Sequence, residues 1–480
     1  MAYKTGNRKQ MNLFPPLVDD YVAKEDPVRV YDAFVEAVNF KELGISIEPY
    51  KKGAHEYYPK DMLKLLIYGY SYSIRSSRKL ERACHHNLSF IWLLGDLKPD
   101  YRTIARFRAE YKEAIKKILK QCVHMCIKLD LIEGNALFID GSPFKANASI
   151  RHTWTKERCE KHIKQLSGEI DNLVDKSVQI DREEDNKDSL VKVKKELSDK
   201  LELKNKIQEI NKTLEQKPPK AQHNTTDPDC IKTRSRQATH AGYNAQVVAD
   251  GKHGLIVHTE ALSHSQDYNK FNDQLNKATE VLEKKPEFAG SDCGYYSLDD
   301  IEKVDKNVTV VMPSIKQAQK EKNLHPLKPF DKEHFKYNLS KDEYVCPEGK
   351  TLRRCGTPRS KTKKPTYAVK YGVCQICPHL KQCTVSSKGR HITHTGKEAL
   401  KAKLEAVYLS PKGQEIYKLR KEKVELPFGH MKRNLSALQF MLRGKAKVDA
   451  ELAILSTCFN IARMTTLVGA SALLLKLKRA

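Results

Sequence analysis

A chain of 480 residues is long enough for two to four domains with cores of their own, and 86 lysines and arginines against 60 acids leave it a formal charge of +26. That surplus points to a polyanionic partner, because cations that neutralise phosphates release condensed counterions; the plainer alternative is a merely basic soluble protein. MAYKTGNRKQ lacks the apolar core of a secretory signal and the longest apolar run, residues 467–475, is too short to cross a bilayer, so a cytoplasmic protein with no membrane partner is expected.

The first 48 residues read as an extension broken by Pro15, Pro16 and Pro27. Residues 49–130 read as a helical, DNA-binding domain. In "PKDMLKLLIYGYSYSI", Met62, Leu65, Leu66 and Tyr70 recur at helical spacing, and the serines of "SSRKLERACHHN" can cap a second helix. Asp100 is the expected N-cap of a helix whose stripe is Ile104, Phe107, Tyr111, Ile115 and Ile118. Arg102, Arg106 and Arg108 decorate it and are the candidate DNA contacts; the wet face of an ordinary amphipathic helix is the alternative.

Residues 136–139 read as a short buried strand stopped by Gly141-Ser142-Pro143, which leaves Asp140 at its end. An Asp-Gly turn explains such an acid equally well in isolation. Residues 155–222 are expected to form an inserted pair of antiparallel helices joined at the acidic patch 181–188, or a solvated insertion. Strands return at 243–249 and 255–262 as a hairpin, followed by a helix over 267–284 and two short strands in "EFAGSDCGYYS" and "VTVVMP". Residues 131–154 and 223–315 thus predict a mixed α/β core, one sheet covered by helices. "FAGSDCGYYS" repeats the earlier pattern, placing Asp292 and then Gly294 after a strand.

Residues 316–400 form a basic insertion with five cysteines. Cys346, Cys374, Cys377 and Cys383 suit a structural Zn²⁺, with Cys355 as a spare ligand; free thiols in a small insertion are the alternative. "RRCGTPRSKTKKPTYAVKYG", with Tyr367 and Tyr371 among its cations, suits a surface lying on DNA. In the closing helical region, residues 401–480, Tyr417, Lys421 and Glu425 recur every four positions, and Lys432 returns to the same side if the helix continues. Pro427 predicts a kink just beyond Glu425.

Asp140, Asp292 and Glu425, drawn together, would suit two hard cations, Mg²⁺ or Mn²⁺, which favour oxygen ligands and polyphosphate substrates. Asp227, Asp229 and Asp250 are rival carboxylates; Asp229 is the strongest of them, and Asp250 reads as a turn residue.

These blocks, in this order, resemble insertion-sequence transposases of the DDE type, whose catalytic domain is RNase H-like. "SSRKLERACHHNLSFIWLLGDLKPDYRTIARFR" looks like their N-terminal helical domain; "FIDGSPFKANAS" and "SDCGYYS" look like the aspartate blocks, and "YKLRKEKVELPFGHMKRNL" like the glutamate block. The resemblance implies that Asp140, Asp292 and Glu425 are metal ligands and that Tyr417 and Lys432 belong to the DNA-contacting set. It leaves open whether Arg420 or Lys421 approaches phosphate. It further implies a nucleoid-associated enzyme that cuts element ends and joins the 3′-hydroxyls to target double-stranded DNA, working as a homodimer or larger assembly on that DNA. A catalytically silent zinc-containing DNA-binding protein and a metal-dependent nuclease that never joins strands are the alternatives.

Overall fold

The computed structural model describes residues 17–47, 56–182, 187–216, 221–234, 238–321, 329–338, 340–355, 365–394 and 396–479. Pro15, Pro16 and the most basic stretch of the insertion, 356–364, lie outside the described residues.

The central sheet is built from β1 (Ala136–Lys145), β2 (Ile231–Arg234), β3 (Thr239–Asp250), β4 (Ile256–Leu262), β5 (Phe288–Gly290) and β6 (Thr309–Val311). β1 pairs antiparallel with β3 and parallel with β5, and β5 pairs parallel with β6. Both β2 and β4 pair antiparallel with β3, giving the order β4-β3-β1-β5-β6 with β2 along the free half of β3. β4 therefore runs in the direction of β1 and β5, and all three end at one edge of the sheet. This is the RNase H-like mixed architecture the resemblance implied.

β1 does not stop at Asp140. It continues to Lys145, paired with β3 throughout. Pro143 is tolerated because backbone N–H groups alternate sides along a strand. Ala146 N–H bonds to the carbonyl of Ala241 in β3, whereas Lys145 N–H bonds to that of Leu438 on the far side. Pro143, two residues before Lys145, faces away from β3 and costs the ladder no bond.

The helix Lys445–Val468 crosses behind β4 and also packs on the helices Lys112–Lys128 and Pro59–Ser71. It is apolar around most of its circumference, as a helix enclosed on every side must be. Through it the N-terminal helices share one continuous apolar core with the sheet. A buried ion pair pins the same junction. Arg75 donates to Glu451 Oε1 at 3.2 Å and to the carbonyls of Gln439 and Ser436 at 2.9 and 2.7 Å. Glu451 also accepts from the N–H groups of Met441 and Leu442 at 2.9 and 3.0 Å.

Helices Lys156–Arg182 and Lys187–Glu215 lie against each other as the expected insertion; part of the acidic patch between them is outside the described residues. The cysteine-bearing insertion is a five-stranded antiparallel sheet of its own, around a core of Phe335, Tyr344, Leu352, Tyr367 and Ile392. No single described helix is long and apolar enough to cross a membrane.

Candidate active site

Register brings the first two acids together. Phe138 of β1 pairs with Gly290 of β5, the last residue of that strand to pair with β1. Asp140 and Asp292 each lie two residues beyond that pair, where β5 has left β1 and the sheet edge opens. Asp292 is fixed by its own turn, its Oδ1 accepting from Gly294 N–H at 2.8 Å.

The helix Pro411–Arg433 passes over this edge, started by Pro411 in its first turn and by Ser410, whose Oγ accepts from Gly413 N–H at 3.0 Å. It runs unbroken through Pro427, which has no N–H for the carbonyl of Lys423. The hairpin between β3 and β4 closes on that carbonyl at Gly254, where a Cβ would stand 3.1 Å from the Lys423 oxygen. With φ at +70° the position also favours glycine, so the turn packs tightly on the helix.

Arg420 and Lys421 separate cleanly. Arg420 is buried and its Nη2 lies 3.1 Å from Asp140 Oδ1, while Lys421 is exposed with its ammonium 4.9 Å from the Tyr417 ring. Tyr417 itself is buried against Tyr408 and Val311, so its ring supports the helix from below. Lys432 reaches Ser142 Oγ at 2.5 Å and lies 4.8 Å from the Phe144 ring. Burial pulls the Lys432 ammonium down from its ordinary range, and Asp140 opposes that.

Glu425 is exposed on this helix, and no hydrogen bond or ion pair joins it to Asp140 or Asp292. Its place on the helix is nonetheless informative. Lys432, seven residues on, returns to nearly the same edge and touches Ser142. Arg420, five residues before, touches Asp140. Along the axis Glu425 therefore falls between the two side chains that reach β1.

A third aspartate, which pattern reading missed, lies in the group. Asp267 follows β4 and accepts at Oδ1 from Asn244 Nδ2 at 2.7 Å and Gln246 Nε2 at 2.8 Å, both from β3. It lies five residues past the end of β4 with no glycine after it, so the strand-acid-glycine pattern of the other two does not mark it. Burial raises its pKa, the two amides lower it and Asp292 raises it further.

Asp140 carries the strongest electrostatic mark of the site. Burial drives its pKa up, Arg420 draws it down, and Asp292 and then Asp267 add to the rise, for a value of about 7. An all-oxygen set of mutually repelling carboxylates has the chemistry a hard divalent cation requires. Among the described residues, no three His, Cys, Asp or Glu side chains already stand as one ligand set.

The remaining candidates fall elsewhere. Asp227 is buried and accepts from Tyr243 OH at 2.8 Å; Asp229 accepts from Lys445 N–H at 2.8 Å and caps that helix. Asp250 takes Gly134 and Lys252 N–H groups, as a turn residue should. Asp100 caps its helix, accepting from Thr103 N–H at 2.6 Å, and Arg102 and Arg106 are exposed on it. Arg108 is a correction. It is buried, donating to Tyr70 OH at 3.2 Å, the Arg75 carbonyl at 2.8 Å and Ser77 Oγ at 2.7 Å, so its fork is spent inside the helical module.

In the insertion, Cys346, Cys374, Cys377 and Cys383 line one cavity of about 30 Å³, and all are free thiols. Lys350 N–H points at Cys346 Sγ from 3.2 Å, and a Cβ on Gly389 would stand 3.0 Å from Cys374 Sγ. Burial raises the Cys383 thiol; Arg390 lowers it, and the other three thiols push it up again. Cys355 is not among the lining residues.

Two family models match the chain, one described as "Transposase DDE domain" over residues 345–465 and one as "Transposase domain (DUF772)" over residues 16–110. No curated protein and no solved structure matches it.

Proposed function

We propose, from the premise that this chain belongs to the DDE transposases of insertion sequences, that it cuts the ends of a DNA element and joins the freed 3′-hydroxyls to target DNA. As a transposase it acts on DNA. The single observation that supports the chemistry most is the β1–β5 register, which sets Asp140 and Asp292 side by side beneath the helix bearing Glu425.

Asp140, Asp292 and Glu425 would hold the divalent cations, Mg²⁺ or Mn²⁺. Bound there, a pair of such ions supplies activation of the attacking oxygen and stabilisation of the leaving one. The chain's own groups prepare the site. Asp140, held near neutrality beside Arg420, would be ionised in the metal-bound site, and Arg420 would then be available to a DNA phosphate. Lys432, held at Ser142, and the exposed Lys421 fix the phosphates on either side of Glu425. Arg102 and Arg106 meet the backbone of the element end.

The four cavity-lining thiols of the insertion are read as ligands of one structural Zn²⁺, which would cross-link a unit whose apolar core is only five buried side chains. Metal analysis of the purified protein tests this: one zinc per chain, lost on Cys374→Ser, supports it, and zinc-free folded protein contradicts it.

The test of function uses DNA spanning the junctions of the element that encodes the chain. Wild type should nick and join it in Mg²⁺, while Glu425→Gln should bind it and cut nothing. Full cleavage by Glu425→Gln would overturn the assignment; cleavage by wild type with no joining of pre-cut ends would make the chain a nuclease.

A further inference from the structure

We propose that Asp267 is a positioning residue of this site: it braces the stretch of β1 after Asp140 and the turn after Asp292, and raises the acid pair's affinity for a divalent cation. The proposal deepens the transposase reading and rests on it.

The geometry is specific. Oδ1 of Asp267 lies against Gly141, the residue after Asp140, where an added Cβ would stand 2.6 Å from it. Oδ2 turns toward Gly294, two residues after Asp292, where a Cβ would stand 3.6 Å from it and 3.0 Å from Asp292 Oδ1. One carboxylate therefore touches the segments that follow both catalytic aspartates. Its donors are the neutral amides of Asn244 and Gln246. Gln246 in turn accepts from Tyr295 OH, which closes the network back onto the Asp292 turn. Neutral donors hold a carboxylate in place without cancelling its charge, so its negative potential is passed to the neighbouring acids. A buried carboxylate needed only for folding would be better served by a cation. Placed here, it adds a third fixed charge to a site built for positive ions.

Asp267→Asn in the full chain keeps the shape and removes the charge. Mn²⁺ binding, followed by the electron paramagnetic resonance of the free ion, should weaken about tenfold. In the cleavage assay the Mg²⁺ concentration for half-maximal rate should rise by a similar factor, with the rate at saturating Mg²⁺ within about twofold of wild type. A purely structural role predicts the opposite split, with unchanged Mn²⁺ affinity and a lower rate at every Mg²⁺ concentration; that result overturns the proposal. Should Asp267→Asn fail to fold, Asn244→Ala removes one of the two donors and keeps the acid. It should weaken Mn²⁺ binding by a smaller factor, and unaltered binding there counts against the idea. A wild-type protein that binds Mn²⁺ tightly yet cuts no DNA would sink the transposase chemistry while leaving the Mn²⁺ comparison intact. A wild type that binds none sinks both.

Discussion

Replacing Asp140 by Asn should destroy the chemistry and, without metal, stabilise the fold. A carboxyl whose folded pKa exceeds its unfolded value binds protons more tightly when folded. The native state therefore loses stability as pH rises from about 4 to 7, and the penalty is complete above that. With the folded pKa at about 7 and an ordinary value of 3.8, the penalty at pH 8 is at most about 4 kcal/mol. The Asp140 side chain is 18% exposed, so solvent screening trims that figure only modestly. Asn resembles the neutral acid beside Arg420 and escapes the penalty. Urea unfolding in a chelator should show Asp140→Asn more stable than wild type by about 2–4 kcal/mol at pH 8 and equal to it at pH 3.5. Saturating Mg²⁺ should narrow the gap at pH 8 by stabilising wild type alone. Equal or lower stability of the variant at pH 8 would refute the claim that Asp140 is held in an unfavourable ionised state.

Arg75→Ala should cost about 3–5 kcal/mol, because Glu451 is wholly buried and would keep only the N–H groups of Met441 and Leu442; unfolding that matches wild type would contradict this. Arg108→Ala should lower stability by about 2–3 kcal/mol and leave the salt dependence of DNA binding alone. Arg102→Ala and Arg106→Ala should do the reverse, each reducing the salt slope by about one with unfolding little changed; a slope change from Arg108→Ala alone would reverse the assignment. Burial drives the Glu260 pKa up, but Lys277 at 2.6 Å, Gln274 and Lys445 overcome it and hold the group at about 2. That depressed value adds stability above the unfolded pKa near 4.5 which is lost as pH falls toward 2. Glu260→Gln should therefore cost about 2–3 kcal/mol at pH 7 and little at pH 2, as read by urea unfolding at both.

The two aspartate blocks were legible because each is an apolar strand followed by an acid and a glycine, and neither signal needs tertiary information. The hairpin of β3 and β4 was legible for the same reason, from two β-rich runs around Gly251 and Gly254. The extent of β1 was not. Pro143 looks like a terminator unless one knows which side its nitrogen faces, and that depends on the distant Leu438. Arg108 could have been excluded, because it lies four residues after Ile104 and so on the apolar stripe, whereas Arg102 and Arg106 share the opposite face. Asp267 was harder to see. Nothing in "SHSQDYNKF" marks an acid held by two amides, and only the direction of β4 brings it to the edge where Asp140 waits. In the glutamate helix, spacing pointed to Lys421, but the fold gives Asp140 to Arg420.

Mn²⁺ titration of wild type, Asp140→Asn, Asp292→Asn and Glu425→Gln, compared under one buffer at pH 7.5, asks most directly whether three acids from separate parts of the chain form one cation site. Binding in wild type and its loss in each of the three variants is the expected pattern. Wild-type affinity in Glu425→Gln, with Asp140→Asn and Asp292→Asn impaired, would show that the helix acid stands outside the site.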